Sequence, residues 1–338
     1  MFDLPPSTRT ADGLPRRVGV EIEFMGPGVR EAASALAAGF GGIVIEEDPH
    51  AATVRGTRLG DITIELDLRH AHPQRHGRTL PVRLGRRSAA LLGFALGRVV
   101  PRELITAPLP LDRLGEVDDV VAVLRRAGAE GRGSVRPGSS QLGSLGLHFN
   151  VDVQDVSAGN ILAHLRAFML LDPWLRAASF SSRSERLAAP PDFSSDYTRK
   201  VLSPDYRPDL AGFTDDYLAA NPSRDRALDL LPLLLHLDAR RVRSVLPREK
   251  ISARAVFHYR LPQAHVGDAG WSIAADWNRW VAVERLAADP ERLAELSRAW
   301  LLFKGEADTW IARPSTSHQI APHQITQVQS AVLESTTA

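Results

Sequence analysis

Arg17-Val18-Gly19-Val20-Glu21-Ile22-Glu23-Phe24 is the stretch whose reading decides how this chain folds. Side chains of an extended strand alternate between its two faces, so Val20, Ile22 and Phe24 point one way and Glu21 and Glu23 the other. The two carboxylates then stand ~7 Å apart along a single face. A solvent-facing strand would alternate in the same way, so the reading depends on whether the pattern returns.

It returns in three more places. In Ile62-Thr63-Ile64-Glu65-Leu66-Asp67-Leu68 the aliphatic residues share one face, and Thr63, Glu65 and Asp67 share the other. In Leu147-His148-Phe149-Asn150-Val151-Asp152 the apolar set opposes His148, Asn150 and Asp152. In 255–261, Phe257, Tyr259 and Leu261 oppose His258 and Arg260. The polar faces thus carry carboxylate, imidazole, amide and guanidinium, with little of the Ser, Thr and Lys of an ordinary wet sheet face. Carboxylates converging from adjoining strands repel one another unless cations offset them. Oxygen-rich clusters with few imidazoles suit Mg²⁺ or Mn²⁺ better than zinc, and an Arg beside them suits a phosphate. An amphipathic sheet with a merely solvated polar face is the competing account.

Further apolar runs at 42–45 and 99–105 are candidate strands. Helical periodicity predicts helices over 29–38, 111–127 (closed by Gly128), 157–178 with a break near Pro173, 223–240, and 278–304 interrupted at Asp289-Pro290 and stopped at Gly305. Strands and helices do not alternate regularly, and no glycine-rich fingerprint follows the first strand. The expected class is α+β, with a curved, mostly antiparallel sheet and helices packed on its apolar face. The expected organisation is a flexible leader over 1–15, a single domain over 16–312 and a polar tail over 313–338. The stretches 130–144 and 181–207 read as long loops. In the second, Arg183, Arg186, Arg199 and Lys200 would either close over an anionic ligand or form solvated surface.

Composition narrows the function. The 338 residues include no Cys, which excludes structural disulfides, Cys-ligated zinc, iron–sulfur clusters and a Cys nucleophile. With 41 basic and 40 acidic residues the net charge is +1, so no global field points to nucleic acid or a membrane surface. Only three of the basic residues are Lys (Lys200, Lys250, Lys304), a bias toward Arg that fits codon usage as well as any ligand. The longest apolar run, 230–237, contains Pro232 and His236 and falls short of the ~20 residues a membrane span needs. No signal peptide is read at the amino terminus, and the expectation is a soluble cytoplasmic protein.

A family resemblance extends these readings. Arg17–Phe24 resembles the opening strand of the putative amidoligase family, carboxylate–amine ligases that share the glutamine synthetase and glutamate–cysteine ligase catalytic fold. Glu103-Leu104-Ile105-Thr106-Ala107-Pro108 resembles the family's Glu-containing segment ending in Ser/Thr-x-Pro, and Gly146-Leu147-His148-Phe149-Asn150 its Gly-x-His-x-His/Asn strand. Asn221-Pro222-Ser223-Arg224-Asp225-Arg226-Ala227-Leu228-Asp229, Phe257-His258-Tyr259-Arg260-Leu261-Pro262 and Asp276-Trp277-Asn278-Arg279-Trp280 resemble later motifs in the same order, so the likeness runs from about residue 16 to residue 305.

The resemblance implies a concave polar face that binds ATP and two or three divalent metals, Mg²⁺ or Mn²⁺. It implies Glu21 and Glu23 as metal ligands, with a further carboxylate from Glu65 or Asp67 and another from Glu103. His148 would hold a metal or a nucleotide phosphate beside Asn150, and Arg260 would stabilise the transferring phosphoryl group. The broader fold often carries Glu two residues before that Arg; this chain has His258, which becomes a candidate ligand. Asn221, Arg224 and Arg226 are candidates for substrate or nucleotide binding, or for structural ion pairs. The implied reaction joins a small-molecule or peptide carboxylate to an amine through an acyl phosphate. Two other readings remain open: a metal-dependent hydrolase using His70 and His72, and a nucleotide-binding relative without catalysis.

Overall fold

The alternating strand β1 (Arg17–Phe24) lies within an antiparallel sheet that has nine strands among the described residues. The structure is a computed structural model that describes residues 1–66, 100–130 and 145–303; Asp67, the His70/His72 pair, the 131–144 stretch and the 313–338 tail lie outside the described residues. The other strands are β2 (Ile43–Asp48), β3 (Ala51–Thr57), β4 (Gly60–Leu66), β5 (Arg102–Thr106), β6 (Leu109–Pro110), β7 (Leu147–Asp152), β8 (Leu228–Asp229) and β9 (Val256–Tyr259). Their order is β2-β3-β4-β5-β1-β7-β9-β8, with β6 paired to the start of β1.

Cross-strand register keeps the two faces of the sheet distinct. Ile22 sits opposite Leu104 on β5 and Leu147 on β7, Val20 opposite Phe149, and Phe149 in turn opposite Tyr259. All of these are fully buried, because helices cover this face. Under β3 and β4 lies α1 (Val29–Phe40), backed by α2 (Val117–Arg126). Under β7 and β9 lie α3 (Ala158–Ser179) and α9 (Ala274–Ala287), with α10 (Pro290–Leu302) packed against both helices. Phe149 meets Trp277, Phe257 meets Trp280, and Phe168 meets Tyr259, at ring separations of 5.7–6.1 Å. Between these groups run α4 (Arg183–Ala188), α5 (Ser195–Leu202), α6 (Leu210–Ala220), α7 (Leu231–Leu237) and α8 (Ala239–Val245). The fold is α+β, as the sequence reading expected.

Several local expectations are corrected. The 111–127 helix opens as a 3-10 turn over Leu111–Glu116 before α2 begins. The break near Pro173 does not occur: α3 runs unbroken for 22 residues, with Leu170, Leu171 and Leu175 buried on either side of the proline. Packing against α9 and α10 sustains it although the ring removes one backbone donor. The 223–240 helix is instead an irregular turn, β8, α7 and the start of α8. Asp229 Oδ1 accepts the Leu231 N–H at 3.0 Å and turns the chain from strand into helix, and Asp238 caps α8 through the Arg241 N–H. The 181–207 loop holds two short helices, with Ser182 and Ser194 accepting from backbone N–H groups at their N-termini. Arg199 lies over the Trp300 ring and Lys200 pairs with Asp216 at 2.7 Å, so both engage the helical layer.

Arg16, immediately before β1, is buried with α9 Glu284 in a two-pronged ion pair at 2.7 and 2.8 Å. Glu284 also accepts from Trp280 Nε1 at 2.7 Å, and Arg16 Nε donates to the Asp152 carbonyl at 2.8 Å. In the 1–15 stretch, Asp3 accepts from Trp277 Nε1 through its carbonyl and its N–H donates to Asn278 Oδ1.

Candidate active site

The polar face carries the predicted chemistry in cross-strand rows. Residues opposite one another in antiparallel strands share a face. Glu65 on β4 faces Glu103 on β5, which faces Glu23 on β1. One row along, Glu21 faces His148 on β7. In the next, Gly19 faces Asn150, Asn150 faces His258 on β9, and His258 faces Asp229 on β8.

Glu21 is the centre. Its Oε2 lies 3.1 Å from His148 Nδ1 and 3.7 Å from His258 Nε2, and its Oε1 accepts from Asn150 Nδ2 at 2.8 Å, with Arg254 3.6 Å away. The carboxylate is 9% exposed. Burial pushes its pKa up, but the hydrogen bond with His148 and the nearness of His258, with the positive charge the two rings can carry, outweigh that and hold it well below the usual carboxylate range. Glu21 is therefore an anion, held as one by its neighbours.

Ligating atoms of Glu21, His148 and His258 all lie within 4.8 Å of one another, a spacing that suits one metal ion. His258 is 1% exposed; its Nδ1 lies 3.4 Å from Asp229 Oδ2, and its buried Nε2 has no hydrogen-bond partner. A carboxylate on one ring nitrogen leaves the other free as a ligand, which is the usual way a metal-binding imidazole is oriented. The two rings meet edge to face at 5.5 Å. Gly146 has its own reason: a Cβ there would come within 2.6 Å of His148 Nε2, so the Gly-x-His spacing makes room for the ring.

The remaining candidates divide into two groups. Glu23 accepts the Gly146 N–H at 2.7 Å and, with Glu103 and Glu65, forms the oxygen-only row beside the imidazoles. Arg260 follows β9 and donates to the Arg224 carbonyl, while its Nε is buried without a partner. Arg224 ties to Asp229 at 3.4 Å and to the Lys250 carbonyl at 2.7 Å. Asn221 and Arg226 bond each other at 2.8 Å, and Arg226 also donates to the Asp192 carbonyl, so these two brace a loop. Sequence reading quoted Asp229 without giving it a role, and it missed Arg254. Asp229 closes the 221–229 motif; Arg254 sits in an irregular approach to β9 with no periodic signal.

The profile of a family described as "Putative amidoligase enzyme" matches residues 14–282, and the chain belongs to that family. No curated protein and no solved structure matches it significantly. The family description makes it a ligase of the amide-bond-forming kind. Among the described residues no helix is long and apolar enough to cross a membrane.

Proposed function

Starting from membership of the putative amidoligase family, we propose that this chain is an ATP- and divalent-metal-dependent carboxylate–amine ligase with a glutamine synthetase-like catalytic domain over residues 16–312. A substrate carboxylate oxygen attacks the γ-phosphorus of ATP, the bond to the β,γ-bridging oxygen breaks, and ADP leaves. The amine nitrogen then attacks the acyl carbon, the acyl C–O bond breaks so that phosphate leaves with that oxygen and the bonding electrons, and the nitrogen's proton passes to solvent as the amide forms. No covalent bond to the protein is needed, which suits a chain without Cys.

The observation that carries this reading is the convergence of Glu21, His148 and His258 around a buried, unpartnered Nε2. One carboxylate with two imidazoles fits Mn²⁺ better than Mg²⁺; Glu23, Glu103 and Glu65 share the same face but do not come together at metal-ligand spacing among the described residues. Bound to Glu21, His148 and His258, such a cation would neutralise phosphate oxygens during phosphoryl transfer. Asn150 fixes the Glu21 rotamer and Asp229 fixes the His258 ring. Arg260, steadied by the Arg224 carbonyl, presents a planar cation to the transferring phosphoryl group, and Arg254 supplies a second positive charge over Glu21.

The test is ADP release from ATP with Mn²⁺ or Mg²⁺ across a panel of carboxylic acids and amines, using ¹⁸O-labelled carboxylate once a pair turns over. Passage of one label into phosphate is expected. Amide formation without that passage would rule out the acyl phosphate, and amide hydrolysis without ATP would replace the ligase reading with a hydrolase.

A further inference from the structure

A cavity of about 340 Å³ lies in the helical layer, walled by α3, by the segment around Phe193 that leads into α5, and by Trp300 of α10. That volume falls within the range of small-molecule pockets, roughly 300–1,000 Å³. It sits on the opposite side of the sheet from Glu21: Phe168 of α3 packs on Tyr259, whose side chain points away from the face that carries His258. It is therefore not part of the candidate active site.

Its walls are apolar, with Met169, Phe180, Phe193 and Trp300 among them, but its floor is charged. Asp172 is 8% exposed. Its Oδ2 accepts from Arg176 Nε at 2.8 Å, while its Oδ1 is buried with no hydrogen-bond partner. A buried acceptor left unmatched costs free energy and calls for a donor. Arg176 has little left to give a ligand. It also meets Asp192 Oδ1 at 2.6 Å and donates to the Pro190 carbonyl at 2.8 Å. Two carboxylates thus share one guanidinium, and the floor carries a surplus negative charge. An anionic group there would be repelled; a cationic donor would be held. Arg186 also lines the cavity, is exposed, and has no ion-pair partner among the described residues.

We propose that this cavity is a binding site for a small primary amine with an apolar body, its ammonium on Asp172 Oδ1 and its hydrocarbon part against Phe193 and Trp300. Where the ligand is a hydrophobic amino acid, Arg186 receives its carboxylate. The site is separate from the metal face and does not depend on turnover there.

Calorimetric titration of the full chain with 2-phenylethylamine, phenylalanine, 2-phenylethanol and 3-phenylpropanoate tests this. The measurement is made at pH 8, above the value of about 6 to which burial pushes the Asp172 carboxyl. Both amines should bind, at least tenfold more tightly than the alcohol or the acid. Asp172→Asn should weaken the amines at least tenfold. Ala177→Trp, which fills the cavity without touching the ionic pair, should abolish binding, and Glu21→Gln should leave it unchanged. Phenylalanine binding that weakens in Arg186→Gln, with phenylethylamine unaffected, identifies the amino acid as the ligand class; equal effects identify the simple amine. Equal binding of amine and alcohol, no binding of either amine, persistence in Ala177→Trp, or loss in Glu21→Gln would overturn the proposal.

Discussion

Replacing Glu284 by Gln removes one charge from a pair whose members lie 268 residues apart in sequence and are both almost fully buried. Arg16 cannot deprotonate, so the variant must keep a guanidinium in the interior with only neutral oxygens around it. Breaking a buried pair from one side costs about 3–5 kcal/mol. Gln retains one acceptor for Trp280 or Arg16, which places the expected loss near the lower end, about 3 kcal/mol. The assay is the urea midpoint followed by tryptophan fluorescence, with the double replacement Arg16→Met/Glu284→Met as control. Removing both charges should recover most of the loss, because well-packed apolar residues can replace a buried pair at little cost. Since Arg16 leads directly into β1, Glu284→Gln should also loosen the strand that carries Glu21. A variant within about 0.5 kcal/mol of wild type, the scale of a surface substitution, would refute the reasoning.

Other outcomes follow from the site and the helical layer. Glu21→Gln should abolish metal-dependent ATP turnover and, because the folded state favours the Glu21 anion, lower the urea midpoint somewhat without unfolding the chain; wild-type activity would remove the metal assignment. His258→Glu, which makes the donor set richer in oxygen, should shift activation from Mn²⁺ toward Mg²⁺, and an unchanged ratio of the two activities would count against His258 as a ligand. Arg260→Lys should lower kcat more than nucleotide affinity, because the planar fork matters most as charge develops on the phosphoryl group; an equal effect on both would point to simple nucleotide binding. Burial raises the Asp172 pKa from 3.8 to about 6 although Arg176 pulls it down. The folded state then holds a proton that the unfolded state has released, so stability should fall as pH rises from about 4 to about 6 and level off above. The expected size is up to about 3 kcal/mol. Asp172→Asn should remove that slope, and an identical pH profile in the variant would exclude Asp172 as its source.

How much of this was legible beforehand varied with the physics behind each element. β1, β4, β7 and β9 were read because burial on one face imposes a strict two-residue period, and the same alternation put Glu21, His148, Asn150 and His258 on a common face. β3 was not, since Ala51-Ala52-Thr53-Val54-Arg55-Gly56-Thr57 breaks the period where its register shifts against β4. The run around Leu230–Leu237 is apolar on every side, so its period says nothing, and Asp229 and Pro232 divide it only once β8 finds β9. The Arg16–Glu284 pair left no local trace because its partners meet only in the folded chain. Arg254 approaches Glu21 from an irregular segment, where neither period nor capping marks a position. The row from Glu65 to Glu23 was half visible: the residue types were evident, but which glutamates stand opposite one another is decided by register.

The candidate ligands ride on strands near the middle of the sheet, with β1 bonded on one side to β5 and on the other to β7. Releasing the Glu21 amide to solvent therefore means tearing a sheet apart rather than lifting a flap. Deuterium should enter there only when the whole molecule opens, long after the rim at β2 has exchanged. Warming or mild denaturant would thus strip the periphery first and leave the metal-binding groups standing as the last ordered remnant of the protein.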